Sequence, residues 1–185
     1  MPRRLVYAGF ALVAVSACAS RSTEGAQIIV KEPYDALLAN LRGRQADDEH
    51  AVVRDSIAAP AERVHAALVT AFRDAGIPEE IVNPATGQVA NTQFRAGREL
   101  AGVRLGRVLK CGETLTGARA DTDRVTMAVV STVKRLGGGT TAIETRVIGV
   151  ATDTGGTGGR TVCYSTGELE RRLHDAVRKA LAGGA

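Results

Sequence analysis

A two-layer α+β fold, an antiparallel sheet of about five or six strands with two helices packed on one face, is what this chain of 185 residues predicts. Three observations carry the expectation. Two long runs rich in Val, Thr and Ile, Arg124 to Leu136 and Thr140 to Thr152, are joined by Gly137-Gly138-Gly139, the pattern of a long β-hairpin. Two stretches repeat apolar residues at helical spacing, one after Pro60 and one after Ser165. Their order, strand, helix, several strands, helix, fits into about 130 residues and puts both helices on one side of an antiparallel sheet.

The organised domain, residues 51–185, starts with a strand in which Val53, Asp55 and Ile57 alternate with Val52, Arg54 and Ser56. Pro60 suits a helix start. Val64, Ala67, Leu68, Ala71, Phe72 and Ala75 then fall on one face, and Gly76 closes the helix. Ile77 to Pro84 reads as a connection, and Asn83-Pro84-Ala85-Thr86-Gly87 has turn chemistry. Gln88 to Phe94 alternates as a second strand, Arg95 to Gly102 is polar and irregular, and Val103 to Cys111 reads as one further strand centred on Val108 and Leu109. On the first arm of the hairpin Val125, Met127, Val129 and Val133 share a face. On the second, Ile143, Thr145 and Val147 alternate with Glu144, Arg146 and Ile148, so one face is expected to be buried and the other wet. Asp153 to Gly159 is a glycine-rich turn, and Arg160 to Tyr164 is a last short strand. The final helix begins with Ser165-x-x-Glu168, the pattern of a capping box, and carries Leu169, Leu173, Ala176, Val177, Ala180 and Leu181 as its stripe.

Of three cysteines, Cys111 and Cys163 form an even pair within the domain and are expected to make a disulfide. Closing a loop of this length stabilises a fold by about 4 kcal/mol at most in the chain-entropy account. Two free buried thiols are the alternative. A metal site fits less well, because neither cysteine has a His or second Cys at ligand spacing.

The amino terminus has the design of an export signal. Met1-Pro2-Arg3-Arg4 leads an apolar run from Leu5 to Val15, too short for the roughly 20 residues that span a bilayer. The run ends in Val15-Ser16-Ala17-Cys18, which resembles the lipobox of bacterial lipoproteins. The resemblance implies cleavage after Ala17 and acylation of Cys18, giving residues 1–17 as signal peptide and 18–50 as a lipidated tether. Several acyl chains at about 0.8 kcal/mol per buried CH₂ would hold the protein on a membrane. In that family Asp after the cysteine marks inner-membrane retention; here Ala19-Ser20 follows, which implies an outer membrane and a periplasm-facing domain. An ordinary signal cut near Ala17 or Ala19, and an uncleaved anchor, are the alternatives. Within the tether, Tyr34, Leu37, Leu38 and Leu41 have the spacing of a short amphipathic helix.

Charge and composition restrict the function. The formal charge of +4 falls to +2 when Arg3 and Arg4 leave with a signal that contains no acid. That is no nucleic-acid footprint, and with no Trp, three Phe and three Tyr the chain has few aromatic faces on which bases or sugars could stack. Gly155 to Thr161 is glycine-rich but lacks the phosphate-loop pattern and leads into a strand. There is no G-x-S-x-G elbow, and the histidines are His50, His65 and His174. His65 reads as an edge position of the first helix, and His174 with Glu170 as a solvated surface pair. Asp121, Asp123 and Asp153 are a candidate for a cation site if they meet at one end of the sheet. The sequence thus assigns no catalytic residue, no metal and no cofactor.

Two families resemble the domain. The segment Ala59-Pro60-Ala61-x-x-Val64-x-x-Ala67-Leu68, then Gly76-Ile77, then Pro84-x-x-Gly87-Gln88-Val89, resembles the helix-grip domains of BamC-like outer-membrane lipoproteins. That resemblance implies a non-catalytic binding domain with an accessory or scaffold role in envelope assembly or maintenance, holding an envelope protein at the sheet edge or in the groove between helix and sheet. Ser56 to Val64 is similar to the opening of polyketide-cyclase and START-like proteins, which implies instead a carrier of a small apolar ligand or lipid. That family usually has an aromatic residue where His65 stands.

Overall fold

The computed structural model describes residues 52–155 and 158–183, so the signal, the Cys18 anchor point, the tether and His50 lie outside the described residues. What it describes is the expected α+β fold. The elements are β1 (Val53–Ile57), α1 (Ala61–Asp74), β2 (Ile81–Asn83), β3 (Gln88–Arg95), β4 (Glu99–Leu100), β5 (Val103–Arg104), α2 (Leu105–Val108), β6 (Leu109–Lys110), β7 (Glu113–Thr114), β8 (Gly117–Ala118), α3 (Arg119–Thr122), β9 (Arg124–Gly137), β10 (Thr140–Thr152), β11 (Arg160–Ser165) and α4 (Glu168–Gly183). Seven strands form the main sheet, in the order β2-β3-β9-β10-β11-β6, with β1 also paired to β10.

The long hairpin is the centre of this sheet. β9 follows β10 antiparallel from Gly137↔Thr140 to Arg124↔Thr152. The opposite edge of β10 is shared end to end: β1 takes Thr141 to Thr145, and β11 takes Ile148 to Thr152. The chain's first described strand and its last are therefore held by the same central strand.

The two long helices cover one face and bury most of their predicted stripes, although Ala180 of α4 is exposed. Pro60, with φ −61°, is the residue before α1. Val64, Leu68, Ala71 and Phe72 of α1 and Leu169, Leu173 and Val177 of α4 are buried against Val89, Met127, Val129 and Ile143 of the sheet. Removing the Val, Leu, Ile, Met and Phe side chains among them from water stabilises a fold by about 1.5–3 kcal/mol each.

The Asn83–Gly87 turn closes β2 onto β3. Asn83 Oδ1 accepts from the Ala85 and Thr86 amides at 3.0 and 3.2 Å. At Gly87 the backbone has φ +69°, and a Cβ would stand 2.2 Å from the Val133 carbonyl oxygen, so only glycine brings the turn against β9.

Three expectations are corrected. Val103 to Cys111 is not one strand but β5, the single turn α2 and β6. Leu105, Val108 and Leu109 are buried while Arg107 is exposed, which is helical spacing rather than alternation. Residues 77–84 are not all connection, since Ile81–Asn83 adds an edge strand. The outer face is not uniformly wet either: Ala128 and Ile148 are buried there in a small cluster with Val162 and Tyr164.

Cys111, just after β6, is joined to Cys163 of β11 by the expected disulfide, with an S–S distance of 2.04 Å. Beside it Thr166 fixes the approach to α4, donating from Oγ1 to the Arg107 carbonyl at 2.6 Å and from its amide to the Val108 carbonyl at 3.0 Å.

Candidate functional site

Among the described residues, polar groups meet in a buried chain beneath α4, in a groove between α1 and α4, and in a pocket at one end of the sheet. The buried chain starts from the inward register of the hairpin, which carries Ser131 and Thr145 among its valines. These two residues oppose one another, their hydroxyl oxygens 2.7 Å apart. Thr145 Oγ1 lies 2.9 Å from His174 Nε2, and His174 Nδ1 faces Asp55 Oδ2 of β1 at 3.8 Å. Asp55 is in turn paired with Arg178, one turn further along α4. With the ring hydrogen on Nδ1, toward Asp55, Nε2 accepts from Thr145 and Thr145 accepts from Ser131, so each buried acceptor has a donor. Burial holds the His174 imidazole below its ordinary value; Asp55 opposes that shift and Arg178 adds to it.

This Asp, His and hydroxyl set contains the residue types of a nucleophilic triad. Its hydroxyls, however, are at 0% exposure, enclosed between sheet and helix. In that position they join α4 to the hairpin, and a solvent-borne substrate has no path to either oxygen.

His174 and Glu170 are thus not the solvated pair expected of them. Both are buried, Glu170 completely. Ser165 Oγ donates to Glu170 Oε1 at 2.6 Å, and Oε2 has no partner among the described residues. Burial pushes the Glu170 carboxyl above its ordinary value, against the Ser165 hydrogen bond that lowers it. The same geometry changes the capping box: Ser165 Oγ accepts from the Gly167 amide at 2.9 Å, and Thr166 Oγ1 accepts from Glu168 at 3.3 Å. Glu168 itself turns outward to Arg172 at 2.8 Å and Arg171 at 3.1 Å, and hydrogen bonds from these two, Arg172 first, keep its carboxyl below the usual range.

A signal for the buried pair was present in the sequence. Glu170 and His174 follow Leu169 and Leu173 at the same four-residue interval, and the inward register of the strands opposite carries Ser131, Thr141 and Thr145. Hydroxyls on the covered face of a sheet call for polar partners on the helix that covers it. His65 is on the α1 edge as expected but is buried, its Nε2–H donating to the Gln88 carbonyl at 3.3 Å.

The groove between α1 and α4 has a volume of about 490 Å³. Its floor is Ala71, Ala75, Ala101, Leu173 and Ala176, and Asp74, Glu168, Arg171, Arg172 and Asp175 line it as well. Small residues on the floor let the facing helices leave space between them, while the charges on both helices suit a polar partner.

Asp121 and Asp123 do come together at the end of the sheet, in a pocket they share with Arg95, Arg98 and Arg124. Asp153 is engaged elsewhere, its Oδ1 accepting from the Gly155 amide at 2.7 Å. Among the described residues no group of three or more His, Cys, Asp or Glu is placed to hold a metal ion.

Compared with the models of known protein families and with curated proteins, the chain matches none.

Proposed function

We propose that this is a lipid-anchored protein of a bacterial envelope whose α+β domain binds a protein partner, in an accessory or scaffold role in envelope assembly or maintenance. The observation that carries the reading is the Cys111–Cys163 bond. Disulfides persist in oxidising compartments, and this one stands in a chain whose amino terminus ends an apolar run with Val15-Ser16-Ala17-Cys18. An outer-membrane anchor at Cys18, with the domain facing the periplasm, accommodates both facts.

The α1–α4 groove is the place we assign to the partner. It is open, and it has an alanine floor with charges of both signs beside it. The space beneath α4, where a carrier would keep an apolar ligand, is occupied by Leu173, His174, Thr145 and Ser131, all at or below 2% exposure. That packing favours binding over carriage.

The test is an intact mass of the membrane-extracted protein beside its Cys18→Ala variant. The expected mass is that of residues 18–185 plus acyl chains, lower by two hydrogens for the disulfide, with the acyl increment lost in the variant. An unacylated, water-soluble chain overturns the anchor and moves the carrier reading to first place.

A further inference from the structure

We propose that the pocket at the end of the β3–β9 pair is a binding site for a phosphate-bearing ligand, held by Arg95, Arg98 and Arg124. The pocket has a volume of about 370 Å³ and is also lined by Gly97, Thr154 and the two aspartates. That is more room than a bare phosphate fills, so the site suits a phosphate ester with part of its organic body inside.

The three arginines come from backbone that the fold holds in place. Arg95 ends β3, and the next amide, Ala96, donates to the Val125 carbonyl at 3.0 Å. Arg124 opens β9 opposite Thr152. The Arg98 carbonyl accepts from the Leu105 amide at 2.9 Å, fixing the loop between the strands. All three side chains are exposed, and none is in an ion pair among the described residues.

The carboxylates of the pocket are used within the fold. Asp123 is paired with Arg119 at 3.2 Å, and Asp121 Oδ1 accepts from the Gly106 amide at 2.8 Å. At Gly106 a Cβ would stand 2.7 Å from Asp121 Oδ2, so that aspartate is seated directly on the α2 backbone. Three arginines therefore line a pocket that contains one carboxylate no arginine neutralises. That excess of positive charge excludes a cation as the natural occupant and favours an oxyanion, whose geometry matches the guanidinium fork.

The proposal is independent of the membrane anchor and of the α1–α4 groove. It is tested by titrating inorganic phosphate into the acyl-free full chain, carrying Cys18→Ala, at low ionic strength, with backbone amide NMR shifts as the readout. Saturable shifts confined to residues 95–98, 105–106 and 121–125 are expected. Arg98→Gln and Arg124→Gln should each weaken binding about tenfold, with Arg63→Gln on the exposed side of α1 leaving it unchanged. A second arm uses vesicles of phosphatidylcholine with and without phosphatidic acid. Saturation by phosphate itself points to a soluble ester, whereas a response to phosphatidic acid vesicles alone points to a lipid headgroup, and either supports the site. Unchanged affinity in Arg98→Gln and Arg124→Gln, or no localised response in both arms, overturns it.

Discussion

Thr145 of β10 and His174 of α4 meet at 2.9 Å in the plane where the last helix lies on the central hairpin. Each is buried, and each depends on the other: the hydroxyl is the partner of an imidazole nitrogen that has left water, and the nitrogen completes a chain that runs on to Ser131. Thr145→Val, similar in shape, would leave the His174 nitrogen and the Ser131 hydroxyl short of a partner. A loss of about 1–3 kcal/mol in urea unfolding is expected. In a double-mutant cycle with His174→Phe the two losses should not add, because each removes the same bond. Additive losses would show that the contact carries no energy of its own.

The same imidazole sets an acid limit on stability. Its pKa is lowered in the folded protein, so the unfolded chain takes up this proton first, around pH 6.5. Stability should therefore decline as pH falls from neutral through that value, until the folded-state pKa is reached. His174→Gln should flatten the decline, which thermal melts at intervals between pH 8 and pH 5 would reveal.

Glu170 acts in the opposite direction. Its carboxyl is raised above the ordinary 4.5 by burial, so the folded form favours the proton and stability is lost as pH rises from about that value through the folded pKa. Glu170→Gln keeps an acceptor for Ser165 and removes the ionisation. The wild type should accordingly lose ground to the variant between pH 4 and pH 8; a constant difference in melting temperature across that range would refute this account.

Two glycines with nearly the same backbone angle separate strain from close contact. Gly76 and Gly87 have φ +77° and +69°, but a Cβ at Gly76 meets nothing within 4 Å, whereas at Gly87 it meets the Val133 carbonyl. Gly76→Ala should cost about 1 kcal/mol, the price of the left-handed conformation alone. Gly87→Ala should cost about 3 kcal/mol, since β3 must also move away from β9. Equal losses in denaturant unfolding would mean that the turn relaxes freely.

Much of this architecture was legible because it is written in local patterns. The hairpin of β9 and β10 shows in alternation over more than ten residues a side around three glycines, and both long helices show in stripes that the structure buries except at Ala180. Short elements were harder to read. β2, β4, β5 and β6 are two or three residues long, too few for a period to emerge, and Leu105, Val108 and Leu109 fit a strand core until a turn of helix places them.

The sequence by itself determined the fold class, the long elements and the helix faces, which follow from periodicity and turn residues, and parity made Cys111 and Cys163 the expected pair. Only the tertiary structure decided which polar residues are inside. Asp55, Ser131, Thr145 and His174 are spread over 120 positions of chain and become neighbours because β10 holds β1, β9 and α4 around itself. Arg95, Arg98 and Arg124 likewise line one pocket only where the ends of β3 and β9 lie side by side. Burial and charge at such places depend on contacts between distant segments, and no local pattern records them.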